Sequence, residues 1–313
     1  MNRRGSLAAF LAAATFAPAA PLRAQTRTTV RVGTDPYDSF SEAYYAQDQG
    51  LFQKAGLDVN VLTFMNGAAI SDAVAGGAAD VGISNPVSLA NAIAHGVPFT
   101  LIAGGGMYTS TAPTTVLVVA KNSPLRTIAD LDGKTVATSG VKNTDEAAMH
   151  GWLAQHKAEN VRIRFVEMPF SVMGASLARG AVDAAVLAEP SLQDAIERDQ
   201  IRIFGKPFDA IAPQFLIGAW FSTQAFVRAN PQFIRDFVAT IYAAGRWANG
   251  NHAGSADILA KYSKLAPETT RRMTRVVYAD SVRPGLIQPL LDLAVKYGIV
   301  DRAVTATEMI AKL

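Results

Sequence analysis

Short apolar segments alternate with helix-length segments from residue 28 to about residue 190, and this alternation is typical of a mostly parallel α/β sheet. Between the apolar segments, hydrophobic positions follow the helical rather than the strand period. The pattern therefore predicts an α/β fold. The predicted strands are 28–32, 58–63, 81–83, 98–103, 115–120, 135–138, 161–166 and 184–187.

From Asn230 onward the apolar positions keep to a helical period, so the C-terminal part is expected to be helical. Over the whole chain, the predicted helices are 38–49, 66–75, 87–95, 144–157, 171–179, 231–247, 255–262, 267–278, 284–297 and 303–311.

An internal repeat relates two sets of these strands. Residues 70–80 align with residues 173–183, and each segment reads as a helix, a glycine, a turn aspartate and a buried strand. Gly77 and Gly180 supply the positive φ with which a chain commonly leaves a helix. The alignment predicts two lobes of the same topology with a ligand between them.

The N-terminus has the pattern of a signal peptide. Arg3 and Arg4 precede a weakly apolar run over residues 7–20, and Ala24 offers a small residue before a cleavage point. The run is too short and too rich in alanine to span a bilayer. We expect residues 1–24 to be removed on export by the general or the twin-arginine route, leaving a periplasmic protein with no stable membrane insertion.

Composition narrows the classes of protein further. The chain has 313 residues, 50% of them hydrophobic, which favours two compact lobes over a single domain. It has no cysteine, which excludes disulfides, a thiol nucleophile and a lipid anchor on an N-terminal cysteine. The net charge of +3 is close to zero without the three arginines of the predicted signal peptide. Neither nucleic acid nor an anionic membrane surface is therefore an expected partner.

Polar and aromatic residues cluster where predicted strands run into helices, and in open parallel sheets ligands bind at these junctions. The competing interpretation is that the Ser, Asn and Thr residues there only cap helices. Trp220 is included among the candidates because its indole offers a flat apolar wall for a pocket. The candidate ligand-binding residues are Asp35, Tyr37, Phe40, Asn66, Gly67, Ala68, Ser84, Asn85, Ser139, Asn143, Thr144, Phe170, Glu189 and Trp220.

The chemistry of the junctions favours an aromatic or heterocyclic ligand. Asp35, Asp38 and Glu189 are suited to accept an amine or a ring N–H, and Lys142 is the only basic junction residue. An organic acid such as a sulfonate, held by helix N-termini, remains an alternative. Asp145 and Glu146 lie in the first turn of one such helix and partly offset its dipole.

Signals for catalysis are missing from the sequence. None of the four histidines has a second ligand at metal-binding spacing, and no phosphate-binding Gly-Lys-Ser/Thr or Gly-x-Ser-x-Gly motif occurs. We therefore expect no catalytic residue, no metal and no cofactor.

Five short motifs in order resemble those of the periplasmic solute-binding proteins of nitrate/sulfonate/taurine ABC importers, a group that includes thiamine-pyrimidine binding proteins. The resemblance spans nearly the whole chain after residue 24. The motifs are Gly50-Leu51-Phe52 with residues 55–59, residues 78–82, residues 130–134, residues 182–185 with Glu189-Pro190, and Asn230-Pro231 with residues 247–249.

This resemblance implies a type II periplasmic-binding fold, with two Rossmann-like lobes joined by a two-segment hinge. Lobe one would comprise residues 27–116 and 221–313, and lobe two residues 117–220, with hinge segments near 116–120 and 215–222. A monomer would close on a small ligand and present both lobes to ABC transporter permease subunits. In this family the ligand contacts fall at these junctions. By position, the resemblance implies that the ligand-contacting residues are Tyr37, Asn66, Gly67, Ser84, Asn85, Ser139, Asn143, Thr144 and Glu189.

Two rival functions remain. The first is an enzyme on the same scaffold, related to thiamine-pyrimidine synthesis, but such enzymes depend on a cysteine-rich segment and this chain has no cysteine. The second is a sensory effector-binding module, which needs a DNA-binding helix-turn-helix or a transmembrane helix that the sequence does not show.

Overall fold

The structure is a computed structural model that describes residues 29–313, and two five-stranded sheets form its framework. The predicted signal peptide, residues 1–24, lies outside the described residues. The strands are β1 (Val30–Thr34), β2 (Val59–Thr63), β3 (Val81–Ser84), β4 (Phe99–Gly104), β5 (Gly106–Thr109), β6 (Thr115–Ala120), β7 (Thr135–Thr138), β8 (Arg164–Glu167), β9 (Ala184–Ala188), β10 (Ile201–Gly205), β11 (Gln214–Leu216), β12 (Ala219–Thr223) and β13 (Val277–Tyr278).

Helices connect and cover these strands. Short 3-10 helices lie at Asp38–Phe40, Ile128–Leu131, Pro207–Ala210 and Pro284–Leu286. The α-helices are α1 (Glu42–Asp48), α2 (Leu51–Lys54), α3 (Gly67–Ala75), α4 (Pro86–Ala94), α5 (Thr144–Gln155), α6 (Phe170–Ala178), α7 (Ser191–Glu197), α8 (Gln224–Ala229), α9 (Pro231–Gly250), α10 (His252–Ser263), α11 (Pro267–Arg272), α12 (Gln288–Lys296) and α13 (Ala306–Met309).

The two sheets have equivalent strand orders. The first runs β2-β1-β3-β12-β4 and the second runs β8-β7-β9-β6-β10. In each sheet the first three strands are parallel and the fourth, β12 or β6, is antiparallel to its neighbours. We call the part of the molecule built on the first sheet the first lobe and the part built on the second sheet the second lobe.

The internal repeat predicted from the sequence is confirmed by these elements. Its two segments are α3 with β3 in the first lobe and α6 with β9 in the second. Gly77 has a φ of +73° and Gly180 a φ of +71°, as predicted for glycines that follow a helix.

The turn aspartates of the repeat make the same contacts in both lobes. Asp80 accepts a hydrogen bond from Arg31 N of β1 at 2.8 Å, and its own N–H donates to Arg31 O at 2.8 Å. Asp183 likewise accepts from Thr135 N of β7 at 2.8 Å and donates to Thr135 O at 2.9 Å. Each aspartate therefore ties the start of one central strand, β1 or β7, to the turn that precedes the adjacent strand, β3 or β9.

The predicted helix over residues 267–278 is wrong in its second half. Helix α11 ends at Arg272, and Val277 and Tyr278 form β13, which pairs with β5 beside β11 in a third, three-stranded sheet. Tertiary contacts override the helical period here, because Asp38 accepts hydrogen bonds from Val276 N at 2.9 Å and from the side chain of Arg275.

The chain crosses between the lobes twice. Residues 116–120, predicted as a hinge, lie within β6 of the second sheet, and the connection from β5 is 110–114. Residues 215–222 lie largely within β11 and β12, and the return from β10 to β11 is 206–213. The lobe boundaries and the hinge motion stay predictions. Among residues 29–313, no helix has the length and apolarity needed to cross a membrane.

Candidate ligand-binding cleft

A cavity of about 540 Å³ lies between the two lobes, at the carboxyl ends of their central strands. The first lobe and the return connection contribute Asp35, Tyr37, Phe40, Asn66, Gly67, Ala68, Asn85, Ser88, Phe208 and Ile217. The second lobe contributes Ser139, Gly140, Val141, Asn143, Thr144, Asp145 and Phe170.

The structure brings together most of the candidates from the sequence. Contact with a ligand stays a prediction for all of them. Those that line the cavity are Asp35, Tyr37, Phe40, Asn66, Gly67, Ala68, Asn85, Ser139, Asn143, Thr144 and Phe170.

Three candidates lie elsewhere. Glu189 lines an adjoining cavity of about 560 Å³, whose wall also includes Asp35, Tyr37 and Phe170. Ser84 is buried beneath the cleft, where its Oγ donates to Gly67 O at 3.0 Å. Trp220 is 0% exposed and packs against Phe237, because the alternation of side chains along β12 directs the indole into the core of the first lobe.

Asparagines cap three of the helices that begin at the cleft, α3, α4 and α5. Asn66 Oδ1 accepts from Ala69 N at 2.9 Å, and Asn85 Oδ1 accepts from Ser88 N at 2.9 Å. Asn143 Oδ1 accepts from the N–H groups of Asp145 at 2.9 Å and Glu146 at 3.3 Å. The capping interpretation is therefore correct for these residues, which also line the cavity.

Side-chain hydrogen bonds join the lobes around the cavity. These hydrogen bonds connect Tyr37 with Thr115 at 3.2 Å, Asn66 with Glu167 at 3.0 Å and Asn85 with Thr144 at 3.2 Å. Each bond joins a residue of the first lobe to a residue of the second, so the two lobes are in contact in this structure.

Aromatic rings from both lobes form one wall. The ring centroid of Tyr37 lies 5.1 Å from that of Phe40 in the first lobe and 5.1 Å from that of Phe170 in the second. Phe208, on a 3-10 helix in the return connection, adds a further ring to the lining. These rings give the cavity flat apolar surfaces suited to a ring-shaped ligand.

Two buried carboxylates face the cavity, one from each lobe. Asp35 is 5% exposed, its Oδ1 accepts from Tyr37 N at 2.9 Å, and burial raises its pKa to about 7. Asp145 is 4% exposed, and its Oδ2 accepts from Ser139 N at 2.9 Å and Ser139 Oγ at 2.8 Å. Burial also raises the pKa of Asp145, while these hydrogen bonds oppose the rise.

A model of the NMT1/THI5-like family matches residues 38–251, more than half of the chain. The chain belongs to the NMT1/THI5-like family. The resemblance drawn from the sequence motifs is thereby confirmed.

Individual relatives of this family member are distant in sequence. A protein of Brucella abortus (strain 2308), named as a binding protein, is 27% identical over 271 residues, which cover 85% of this chain and 80% of that protein. A Haemophilus influenzae protein named for thiamine biosynthesis is 29% identical over 141 residues, which cover 45% of this chain and 43% of that protein.

A solved structure confirms the fold of this family member. The alkanesulfonate-binding protein SsuA from Xanthomonas axonopodis pv. citri, bound to MOPS, superposes with a TM-score of 0.76 at 20% identity. The match covers 90% of this chain and 98% of that one. The predicted type II periplasmic-binding fold is therefore confirmed.

The lining of both cavities in this NMT1/THI5-like chain includes no lysine, arginine or histidine among residues 29–313. Lys142, the one basic residue of the predicted junctions, instead lies 3.6 Å from Asp301. Glu189 adds a third buried carboxyl group, whose Oε2 accepts from Gln193 N at 2.9 Å and whose pKa burial raises to about 8. The electrostatic character of the site is thus acidic.

Several lining residues were missed by sequence reasoning. Asp145 was interpreted only as a residue that offsets a helix dipole, although Ser139 and Asn143 just upstream are natural donors to it. Gly140 and Val141 lie in a junction already recognised, and Ser88 lies one turn beyond another. Phe208 lies in the return connection and Ile217 lies between β11 and β12, and neither segment has a local sequence pattern that points to a site.

Proposed function

We propose that this protein is the solute-binding component of an ABC importer, which captures a small organic ligand between its lobes and presents the closed form to permease subunits. One observation carries the proposal: the cleft is lined by strand-to-helix junctions from both lobes. Ligands of open α/β sheets bind at such junctions. A ligand that contacts both walls favours the closed arrangement over an open one.

The proposal places the mature protein in the periplasm as a monomer. The signal-like pattern of residues 1–24 supports export. The likeness in fold to a sulfonate-binding protein supports a binding role, although at 20% identity it does not extend to the ligand.

Binding is favoured over catalysis. The rival function is that of an enzyme, and the relative named for thiamine biosynthesis is the observation that supports it. The chain has no cysteine, so the cysteine-rich segment of the pyrimidine-synthesising enzymes is not present. Within residues 29–313, no cluster of three or more His, Cys, Asp or Glu residues is arranged to hold a metal ion.

The test combines ligand discovery with a measurement of closure. A library of small organic solutes is screened by the thermal shift of the purified protein, and each hit is followed by small-angle X-ray scattering and mass spectrometry. We expect a hit to raise the melting temperature, to reduce or retain the radius of gyration, and to be recovered chemically unchanged. Conversion of the hit into a product at a rate above the protein-free control would support the enzyme instead.

A further inference from the structure

We infer that α7 of the second lobe and α11 of the C-terminal segment (residues 252–313) form a clasp outside the cleft, in which the carboxylate of Glu197 holds the two lobes together before a ligand binds. The inference rests on the proposed function, since a clasp acts only if the lobes open and close. The described residues that line the two cavities do not include Glu197, Thr269 or Arg272. The clasp can therefore be changed without a change in the cleft lining.

The Glu197 carboxylate accepts hydrogen bonds on both of its oxygens. Thr269 Oγ1 donates to Oε2 at 2.7 Å, and Arg272 Nε donates to Oε1 at 2.8 Å. Both donors lie on α11, whereas Glu197 is the last residue of α7. Gln193 Nε2, one turn earlier on α7, also donates to Oε1 at 2.8 Å and helps to orient the carboxylate. One side chain of the second lobe is thus bonded to two side chains of the C-terminal segment.

Helix α11 is fixed to the first lobe. Arg271, next to Arg272, forms an ion pair at 2.8 Å with Asp257 of α10, and α10 packs on α1. Shortly after α11 ends, Arg275 forms its buried ion pair with Asp38 at 3.0 Å. A contact between α7 and α11 is therefore a contact between the two lobes.

The other end of α7 also contacts the first lobe. Asp38 N donates to Glu189 O at 3.2 Å, and Glu189 lies just before α7 begins at Ser191. Helix α7 is thus attached near both ends, by a backbone hydrogen bond beside the cleft and by Glu197 about two turns away. A side-chain substitution can remove the second attachment and leave the first in place.

The contacts of Glu197 have the strength to shift a conformational equilibrium without locking it. Hydrogen bonding from Arg272 lowers the pKa of Glu197 to about 2, so the carboxylate is ionised at neutral pH. The Arg272 side chain is 59% exposed, and water weakens an ion pair at such a site. The hydroxyl of Thr269 adds a charge-assisted hydrogen bond to the same carboxylate. A protein that already favours its closed form loses less ligand affinity to the closure step.

Spin labels on two introduced cysteines measure the distance between the lobes, because the chain has no cysteine of its own. Ala75 and Ala178 are equivalent positions of the internal repeat. Both are exposed, and they are the last residues of α3 and α6, one in each lobe. In the ligand-free protein labelled at Ala75→Cys and Ala178→Cys, double electron–electron resonance should show a major short distance for the closed form and a minor longer one for the open form.

Glu197→Gln tests the clasp, because the amide keeps the size of the side chain and removes its charge. We expect the ratio of open to closed populations to rise about tenfold, since the charge-assisted bonds to both Arg272 and Thr269 are weakened. Arg272→Gln removes one of these contacts and should raise the ratio about threefold. The double variant should open no further than Glu197→Gln alone, because the two side chains act through one contact.

Arg271→Gln is the matched control. It makes the same substitution at the neighbouring position of α11, but breaks an ion pair with Asp257 that lies within the C-terminal segment. We expect it to leave the ratio of open to closed populations unchanged. Thr269→Val removes the hydroxyl donor without a change in charge or size, and should raise the ratio about threefold. Urea denaturation confirms that each variant is folded.

Three results would overturn the clasp. The first is a ligand-free wild type that populates mainly the longer distance. The second is an equal ratio of populations in the wild type and Glu197→Gln. The third is an equal rise in Arg271→Gln and Arg272→Gln, which would mean that any change in α11 loosens the segment. The proposed function is tested separately by the solute library, and it fails if no solute binds, whatever the distances in the ligand-free protein.

Discussion

The two lobes share a scaffold but build their halves of the cleft differently. In each, the first central strand ends on threonine, Thr34 in β1 and Thr138 in β7. The next residue is Asp35 in the first lobe, whereas in the second it is Ser139, which donates to Asp145 from the following helix. Both lobes thus bring one carboxylate to the cavity, but through different positions of the chain.

A second junction shows the same divergence. Strand β3 is followed by Asn85-Pro86 and strand β9 by Glu189-Pro190. Asn85 caps α4 through Ser88 N, while Glu189 accepts from Gln193 N of α7. The comparison teaches that the repeat preserves strand order and turn geometry, and that the side chains at the strand ends vary independently on that scaffold.

The lobes also differ in what surrounds them. The C-terminal segment packs on the first lobe, where Asp38 forms a buried ion pair with Arg275 at 3.0 Å. The side chains of Asp38 and Arg275 are 0% and 6% exposed. The first lobe therefore depends on a long-range contact at the base of its cleft wall, next to Tyr37 and Phe40.

The largest expected effect comes from breaking this ion pair. Asp38→Asn leaves the buried guanidinium of Arg275 without its counter-ion, and such changes typically cost about 3–5 kcal/mol of folding free energy. Urea denaturation at pH 7 should show this loss, while Asp72→Asn at an exposed site should stay within about 0.5 kcal/mol of the wild type. A loss below 1 kcal/mol for Asp38→Asn would mean that the C-terminal segment does not depend on the pair.

The second prediction compares the turn aspartates of the repeat. Asp80→Ala and Asp183→Ala each remove the acceptor of a strand N–H, at a cost of about 1–3 kcal/mol. Asp80 also forms an ion pair with Arg31 at 2.7 Å, but the Arg31 side chain is 41% exposed, so water partly screens that pair. We expect the two variants to lose similar stability in urea denaturation. A much larger loss for Asp80→Ala would show that the ion pair, rather than the shared backbone contact, dominates in the first lobe.

Local sequence patterns predicted the repeated scaffold well. Strands β6 and β7 have the predicted bounds, and α3 begins after Asn66, because alternating apolar runs, glycines and capping residues act within a few positions of the chain. Strands β5, β10, β11 and β12 were missed, as were Phe208 and Ile217 in the cavity wall. Their placement depends on pairing with distant segments, for example Phe215 with Tyr108, which no local period records.

The smallest expected effect concerns the two cleft carboxylates. Asp35 has one protein donor and a pKa of about 7, whereas three hydrogen bonds to Asp145 oppose the rise of its pKa. An unfolded aspartate ionises near pH 4. Between about pH 4 and 7 the folded protein therefore holds a proton on Asp35 that the unfolded chain has lost, and this contribution to stability disappears as the pH rises.

Thermal denaturation of the wild type and Asp35→Asn from pH 5 to pH 8 measures this contribution. We expect the wild type to lose stability relative to the variant as the pH rises, by an amount on the order of 1 kcal/mol. Glu42 and Glu189, whose pKa values burial raises to about 8, contribute to both proteins and cancel in the difference. Parallel profiles would mean that Asp35 is already ionised in the folded state near pH 5.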